Sequence, residues 1–277
     1  MGSIYLTWLA DDLAAAGLRV VRYQGWTTRA RSSGGYDAQP LCVMWHHTAS
    51  YTSAENDCYY MCYGSSDQPI CNLYIARDGT VWVLAAGATN TNGKGRSLSF
   101  SRGTVATDNM NKCAVGMEIA NNGVGEHYPQ AQIDAAFAAS NIINRHIGNQ
   151  PTDVATHQCY APDRKIDPAR GGAVLGPWQP REINSSGSWH VDDVRLECAR
   201  RIGAIPIPPN GGSMTEKICV RTPDGMPWVT DFASYATQIT EDQAARGRDM
   251  RGYQVATDGG PFPIDGQDWD LMQRLDK

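Results

Sequence analysis

No stretch of this sequence approaches the roughly 20 consecutive apolar residues that a membrane-spanning helix requires, so nothing in it reads as a transmembrane segment. Residues 1–17 set Asp11 and Asp12 among Leu6, Leu9 and Leu13 and lack the basic segment, apolar core and cleavage site of a secretory leader. The expectation is synthesis in the cytoplasm without a signal peptide, with any export by another route. Positive charge is short as well: 24 Lys and Arg against 29 Asp and Glu give a net charge of −5. Phosphate backbones are normally met by a basic face, so nucleic acid is set aside as a partner. Cysteine is sparse, eight residues in 277, well below the ~8% of short disulfide-stapled chains. Most of these thiols should be small buried hydrophobes. Cys58 and Cys62 stand one helical turn apart with Cys71 soon after, which leaves a disulfide open there; a structural zinc would want a fourth ligand that is not found. Also missing are His-Glu-x-x-His, Gly-x-Ser-x-Gly, internal repeats and low-complexity tracts, which removes the anchors for a zincin or an α/β-hydrolase.

What is present suffices for one sizeable core plus a smaller appendage, at 42% hydrophobic and 19% charged residues. Leu6, Leu9, Ala10, Leu13 and Ala16 recur at helical steps before Gly17, predicting an amphipathic helix with a left-handed cap. A strand at Leu18–Val21 should follow, and the Arg-, Ser- and Gly-rich stretch Thr27–Pro40 reads as a loop. The run Leu41–His46 has strand length and ends on a histidine. A helix is expected around Ala54–Tyr63, then a hairpin joining Cys71–Ala76 to Thr80–Ala85 through Asp78-Gly79. Residues 87–112, dominated by Gly, Asn, Thr and Ser, read as a long surface loop. Ala114–Ile119 is a further strand, Pro129 opens a helix that Gly148 closes, and Val191–Arg201 is a last helix. This order predicts an α/β domain with a mixed central sheet flanked by helices.

The segment 204–213 carries prolines and then glycines, as a linker does. It divides the chain into 1–203, a linker, and 214–277, read as a small α+β module in which Thr240-Glu241-Asp242-Gln243 fits a capping box. Acidic residues outnumber basic ones in this tail, so it offers an anionic wall no electrostatic attraction.

Three separate segments carry the informative polar residues: His46 at a strand end, Glu118 inside another strand, and the string His157 to Asp167. Each alone has a plain reading. A strand histidine is more often a hydrogen-bonded core residue than a ligand, and His47 competes for the same role. The loop Thr156–Pro168 places an imidazole, an ammonium and a carboxylate close together, with Pro162 and Pro168 opposing helix, yet Asp163, Arg164, Lys165 and Asp167 could equally face water.

Taken together, Trp45-His46-His47-Thr48-Ala49-Ser50, the hairpin Asn72–Thr80, the strand Val115-Gly116-Met117-Glu118-Ile119 and the loop His157–Pro168 resemble the zinc N-acetylmuramoyl-L-alanine amidases, the superfamily that includes the peptidoglycan recognition proteins. The motifs occur in the family's order over residues 41–170. The resemblance implies a zinc ion held by His46, His157 and Asp167, with His46 preferred to His47. It implies Lys165 as a catalytic residue and Glu118 as the base. Some branches use a tyrosine at the start of the hairpin strand, where this chain has Cys71, and Cys159 is too near His157 to replace the ligand.

Two histidines and a carboxylate leave the open fourth position of a catalytic zinc, and a zinc-polarised water with a nearby carboxylate suits amide hydrolysis. The implied reaction cuts the bond between N-acetylmuramic acid and the first L-alanine of bacterial peptidoglycan. The implied setting is that of a phage endolysin, made in the host cytoplasm and acting on the cell wall as a monomer, with residues 214–277 as a wall-targeting module; a bacterial autolysin is the other possibility. Other readings are a receptor that binds the wall without cutting it, and a zinc peptidase acting within the stem peptide. Trp45, Trp82, Trp178 and Trp189 could stack on sugar rings, although a place in the core is the stronger reading for each.

Overall fold

The computed structural model describes residues 2–183 and 187–202, and the backbone of three strands between 217 and 263. The chain divides into two compact units, Met1–Pro208 and Pro209–Lys277. The first contains, in order, α1 (Leu9–Ala15), β1 (Val20–Arg22), β2 (Cys42–His47), α2 (Ala54–Tyr59), β3 (Leu73–Ile75) and β4 (Val81–Val83). It continues with β5 (Leu98–Phe100), β6 (Gly103–Val105), β7 (Ala114–Ile119), β8 (Tyr128–Pro129), α3 (Gln130–Ile147), β9 (Val154–Thr156) and α4 (His157–Tyr160). Short strands β10 (Val174–Leu175), β11 (Glu182–Ile183) and β12 (Ser188–Trp189) precede α5 (Val191–Arg200). In the second unit β13 (Lys217–Arg221) pairs antiparallel with β14 (Pro227–Asp231) and parallel with β15 (Phe262–Pro263). The linker 204–213 and the capping box at Thr240 lie outside the described residues.

Six strands form the central sheet in the order β1-β4-β3-β7-β2-β9. β3, β7, β2 and β9 run parallel, β4 returns antiparallel beside β3, and β1 is parallel to β4. This is the expected mixed sheet flanked by helices. The β3/β4 return is set by Asp78-Gly79: Gly79 sits at φ +81°, open to glycine without strain, and Asp78 Oδ1 accepts from the Thr80 amide at 2.9 Å. β2 and β7 are buried along their whole length, which is why both read as unbroken apolar runs.

Because side chains alternate along a strand, each central strand serves two cores. Val43 and Trp45 of β2, with Val115 and Met117 of β7, meet Ile133, Phe137 and Ile143 of α3 on one face. Trp45 also donates Nε1–H to Ser140 Oγ at 2.8 Å and packs against Phe137 with the rings tilted by 54° and their centroids 4.9 Å apart. Trp178 and Trp189 join this cluster, so three of the four tryptophans are core residues. The opposite face takes Cys42 and Met44 into one cluster, and Tyr74 and Leu84 into another with Cys58, Met61 and Cys62. The helix expected at Ala54–Tyr63 divides into α2 and a π-helical turn, Tyr60–Gly64. All seven cysteines among the described residues are free thiols.

The reading of residues 87–112 as surface loop holds for most of residues 93–109 and needs correction at the start of the segment. Ala88, Thr89, Thr91 and Asn92 are buried, and β5 and β6 form a small hairpin. Polar side chains can be interior when hydrogen-bonded: Thr89 Oγ1 lies 2.7 Å from Thr91 Oγ1, which donates to the Ile70 carbonyl at 2.6 Å. Gly116 makes the room, since a Cβ there would lie 2.0 Å from Thr91 Oγ1.

Candidate active site

In sheets with parallel strands, ligands collect beyond the carboxyl ends of the strands. His46 stands near that end of β2, Glu118 near that end of β7, and His157 directly follows β9. Thr156 caps the single turn α4 by accepting from the Cys159 amide at 3.1 Å, so the segment predicted as non-helical loop begins with one helical turn. That turn aims His157 back over the sheet, and the Gln158 amide donates to the Asp167 carbonyl at 2.9 Å, drawing Asp167 beside it.

His46 Nδ1 and His157 Nδ1 are 2.8 Å apart, and Asp167 Oδ2 lies 3.1 Å from the first and 2.9 Å from the second. All three residues are buried. Both outer nitrogens end on one residue: His157 Nε2 donates to the Asn92 carbonyl oxygen at 2.9 Å, and His46 Nε2 to Asn92 Oδ1 at 3.1 Å. With the protons on Nε2, both Nδ1 atoms present lone pairs toward a carboxylate oxygen. Burial, then the facing His46, pushes the His157 pKa down to about 4, so its imidazole is neutral at pH 7.

Three lone-pair donors facing one point without a hydrogen between them are a cation site in chemical terms. Tetrahedral zinc holds its ligand atoms about 2.0–2.2 Å away, hence roughly 3.3 Å from each other. The observed separations approach that value, so the residues fit the metal.

Glu118 lies in register with His46 across β2 and β7, and with Tyr74 across β3 and β7. It is buried, and its Oε2 has no hydrogen-bond partner among the described residues. Burial raises its pKa to about 7, with His46 opposing the shift. Lys165 is half-buried and held by its amide on the Ala161 carbonyl at 3.0 Å; its charge acts on both Glu118 and His157. The structure brings His46, His157 and Asp167 together and sets Glu118 beside His46 by strand register, while Lys165 lies on the loop that carries Asp167. It sends His47 to the other face, where Nδ1 meets the Tyr128 hydroxyl at 3.2 Å. Cys71, at the hairpin start, is buried with Sγ 3.4 Å from Met61 Sδ, and burial pushes its thiol well up.

Asn92 is the residue that sequence reasoning missed. An asparagine in a Gly- and Thr-rich stretch ordinarily signals a turn, and no local pattern marks this one as the partner of two histidines.

The N-acetylmuramoyl-L-alanine amidase family matches residues 36–170, a span that contains every residue of this site. No curated protein sequence matches the chain. Among solved structures, N-acetylmuramoyl-L-alanine amidase LysC from Clostridium intestinale URNW is similar at 18% identity and a TM-score of 0.38, covering 55% of this chain and 88% of that one. A selenomethionine derivative of AmpD is similar at 18% identity and a TM-score of 0.40, covering 55% and 87%. Wild-type Drosophila PGRP-LB is similar at 14% identity and a TM-score of 0.37, covering 51% and 83%.

Proposed function

We propose that the chain is an N-acetylmuramoyl-L-alanine amidase, the family whose model matches residues 36–170, and that it uses zinc held by His46, His157 and Asp167 to cut between N-acetylmuramic acid and L-alanine in peptidoglycan. The observation that carries this reading is the convergence of His46 Nδ1, His157 Nδ1 and Asp167 Oδ2 beside the unpartnered Glu118 Oε2.

Zinc held by His46, His157 and Asp167 would supply a Lewis acid for the amide carbonyl and lower the pKa of a nearby water to about 7. Glu118 accepts the proton of the attacking water at Oε2 and returns it to the departing L-alanine nitrogen, a task that favours a pKa near the working pH. Lys165 donates to the carbonyl oxygen as negative charge grows on it, an interaction worth roughly 3–4 kcal/mol per donor in other hydrolases. Burial around Glu118 keeps water from competing for its oxygen and strengthens each of these contacts.

The wider setting extends the proposal. No helix among the described residues is long and apolar enough to cross a membrane. Phage-type lysis of the bacterial wall by a monomer is the setting proposed for this activity. Residues 214–277 are proposed as a wall-binding module; deleting them should reduce sedimentation with purified wall, and unchanged sedimentation would remove that role. The test of the activity is product analysis. Digested peptidoglycan should yield stem peptides with a free L-alanine amino terminus, whereas cleavage within the stem would identify a peptidase and an intact polymer a binding protein.

A further inference from the structure

Asn92 reaches both histidines of the site through two different atoms. Its amide oxygen takes the Nε2–H of His46 at 3.1 Å, and its backbone carbonyl takes the Nε2–H of His157 at 2.9 Å. The residue is itself held from both sides. Its backbone N–H donates to Asn111 Oδ1 at 2.7 Å, and Arg164 Nη2 donates to the Asn92 backbone carbonyl at 3.0 Å. Arg164 belongs to the loop that carries His157 and Asp167, so the two loops are cross-bonded at Asn92. Gly93 follows at φ +61°, and a Cβ there would lie 3.2 Å from Arg164 Nη2; the turn that presents the Asn92 carbonyl to Arg164 depends on that glycine.

We infer that Asn92 is a positioning residue that sets the orientation and tautomer of both histidines, turning both Nδ1 atoms toward Asp167. This rests on the zinc reading of the site and adds to it the group that aims two of the three ligands. Three observations support it. Asn92 is only 1% exposed, so water cannot supply the missing acceptor if its oxygen is removed. Its Nδ2 has no partner among the described residues, so the side chain serves the site through its oxygen alone. Acceptors on the far nitrogen of a ligating histidine also raise its basicity toward the metal, and their loss typically weakens binding by about 10- to 100-fold.

A space-filling role and an aiming role make opposite statements about leucine. Asn92→Asp keeps the acceptor oxygen, replaces the idle donor by a second acceptor, and offers His46 a stronger partner. Asn92→Leu keeps the volume and removes the acceptor that faces His46, leaving the backbone carbonyl that faces His157. In the full chain, zinc affinity measured by chelator competition should fall about 10- to 100-fold in N92L and stay at or above the native value in N92D. Thermal melting of the zinc-free proteins separates loss of packing from loss of aim. An N92L protein with native affinity, or N92D weakened as far as N92L, would overturn the inference. Should N92L fail to fold, N92D alone decides. A native chain that takes up no zinc would overturn the ligand assignment as well, whereas normal native uptake with an unaffected N92L would remove only the role of Asn92.

Discussion

Glu118 and His46 are register partners: in the parallel pair of β2 and β7 they stand side by side. Neighbours in register point to the same face of a sheet, with backbones about 4.8 Å apart. The proposed base is thereby placed beside a proposed ligand by strand pairing alone. A slip of one residue would turn Glu118 toward α3 and bring Met117 into the site.

Glu118→Gln keeps the shape of the side chain and removes the proton acceptor. Zinc content should be unchanged, while release of amino termini from purified peptidoglycan should fall roughly 100- to 10,000-fold. Metal analysis alongside the rate assay checks both halves, and a native rate would take the role of base away from Glu118.

His46 and His47 are adjacent in sequence and separated by the sheet. His46→Ala should lose zinc. His47→Ala should keep it and lose only the contacts behind the sheet, where Nδ1 meets Tyr128 and Gly123 packs against the ring. A destabilisation of about 1–3 kcal/mol is expected for His47→Ala, measured by denaturant unfolding. Loss of zinc in both variants would mean that the two faces are not independent.

Gly116→Ala tests how the polar loop is seated. The added Cβ would lie 2.0 Å from Thr91 Oγ1 in a fully buried place, and overpacking of that kind costs about 1–3 kcal/mol. Since Asn92 adjoins Thr91, zinc affinity should weaken along with stability. Unfolding curves and chelator competition on the same preparation report the two effects, and stability loss with unchanged affinity would show that Asn92 does not follow Thr91.

Arg77 and Glu126 brace the β3/β4 hairpin against the loop after β7. Arg77 Nε donates to Glu126 Oε1 at 2.5 Å, and its Nη2 also reaches the Ser50 carbonyl at 2.8 Å. The Arg77 hydrogen bonds lower the Glu126 pKa in the folded state. A carboxylate depressed in this way stabilises the fold above its unfolded pKa of about 4.3 and loses that contribution as pH falls through the folded value. The native protein should exceed Glu126→Gln by about 1 kcal/mol near pH 7, with the difference shrinking below about pH 4. Urea unfolding at both pH values checks this; a difference that grows on acidification would have the wrong sign.

Cys58, Cys62 and Cys71 are free. Alkylation of the unfolded, unreduced protein should label all three, and a reductant should leave its melting temperature unchanged; a disulfide-linked peptide pair among them would contradict the structure.

The elements legible in the sequence are those whose pattern is local. Pro129 and Gly148 mark the ends of α3, where Gly148 takes φ +73°, because capping depends on neighbours in the chain. Asp78-Gly79 announces the hairpin for the same reason. The burial of residues 88, 89, 91 and 92 was not legible: it depends on contacts with Ile70, Asn72 and Gly116, far away in sequence. Small polar residues look the same in a solvated loop and in a hydrogen-bonded interior.

The identity of the site's chemical groups is written in the sequence: two imidazoles, an aspartate, a glutamate and a lysine in motifs that occur in the family's order. Strand alternation further requires that His46 and His47 point opposite ways. Which of them faces the cavity was decided by tertiary packing, because α3 covers the Trp45 side of β2 and thereby assigns His47 to the closed face. The convergence of two Nδ1 atoms on Asp167, and the use of Asn92 to hold them, likewise exist only once separate strands and loops meet. A chain specifies its donors one residue at a time; the distance and direction between them are properties of the packed sheet.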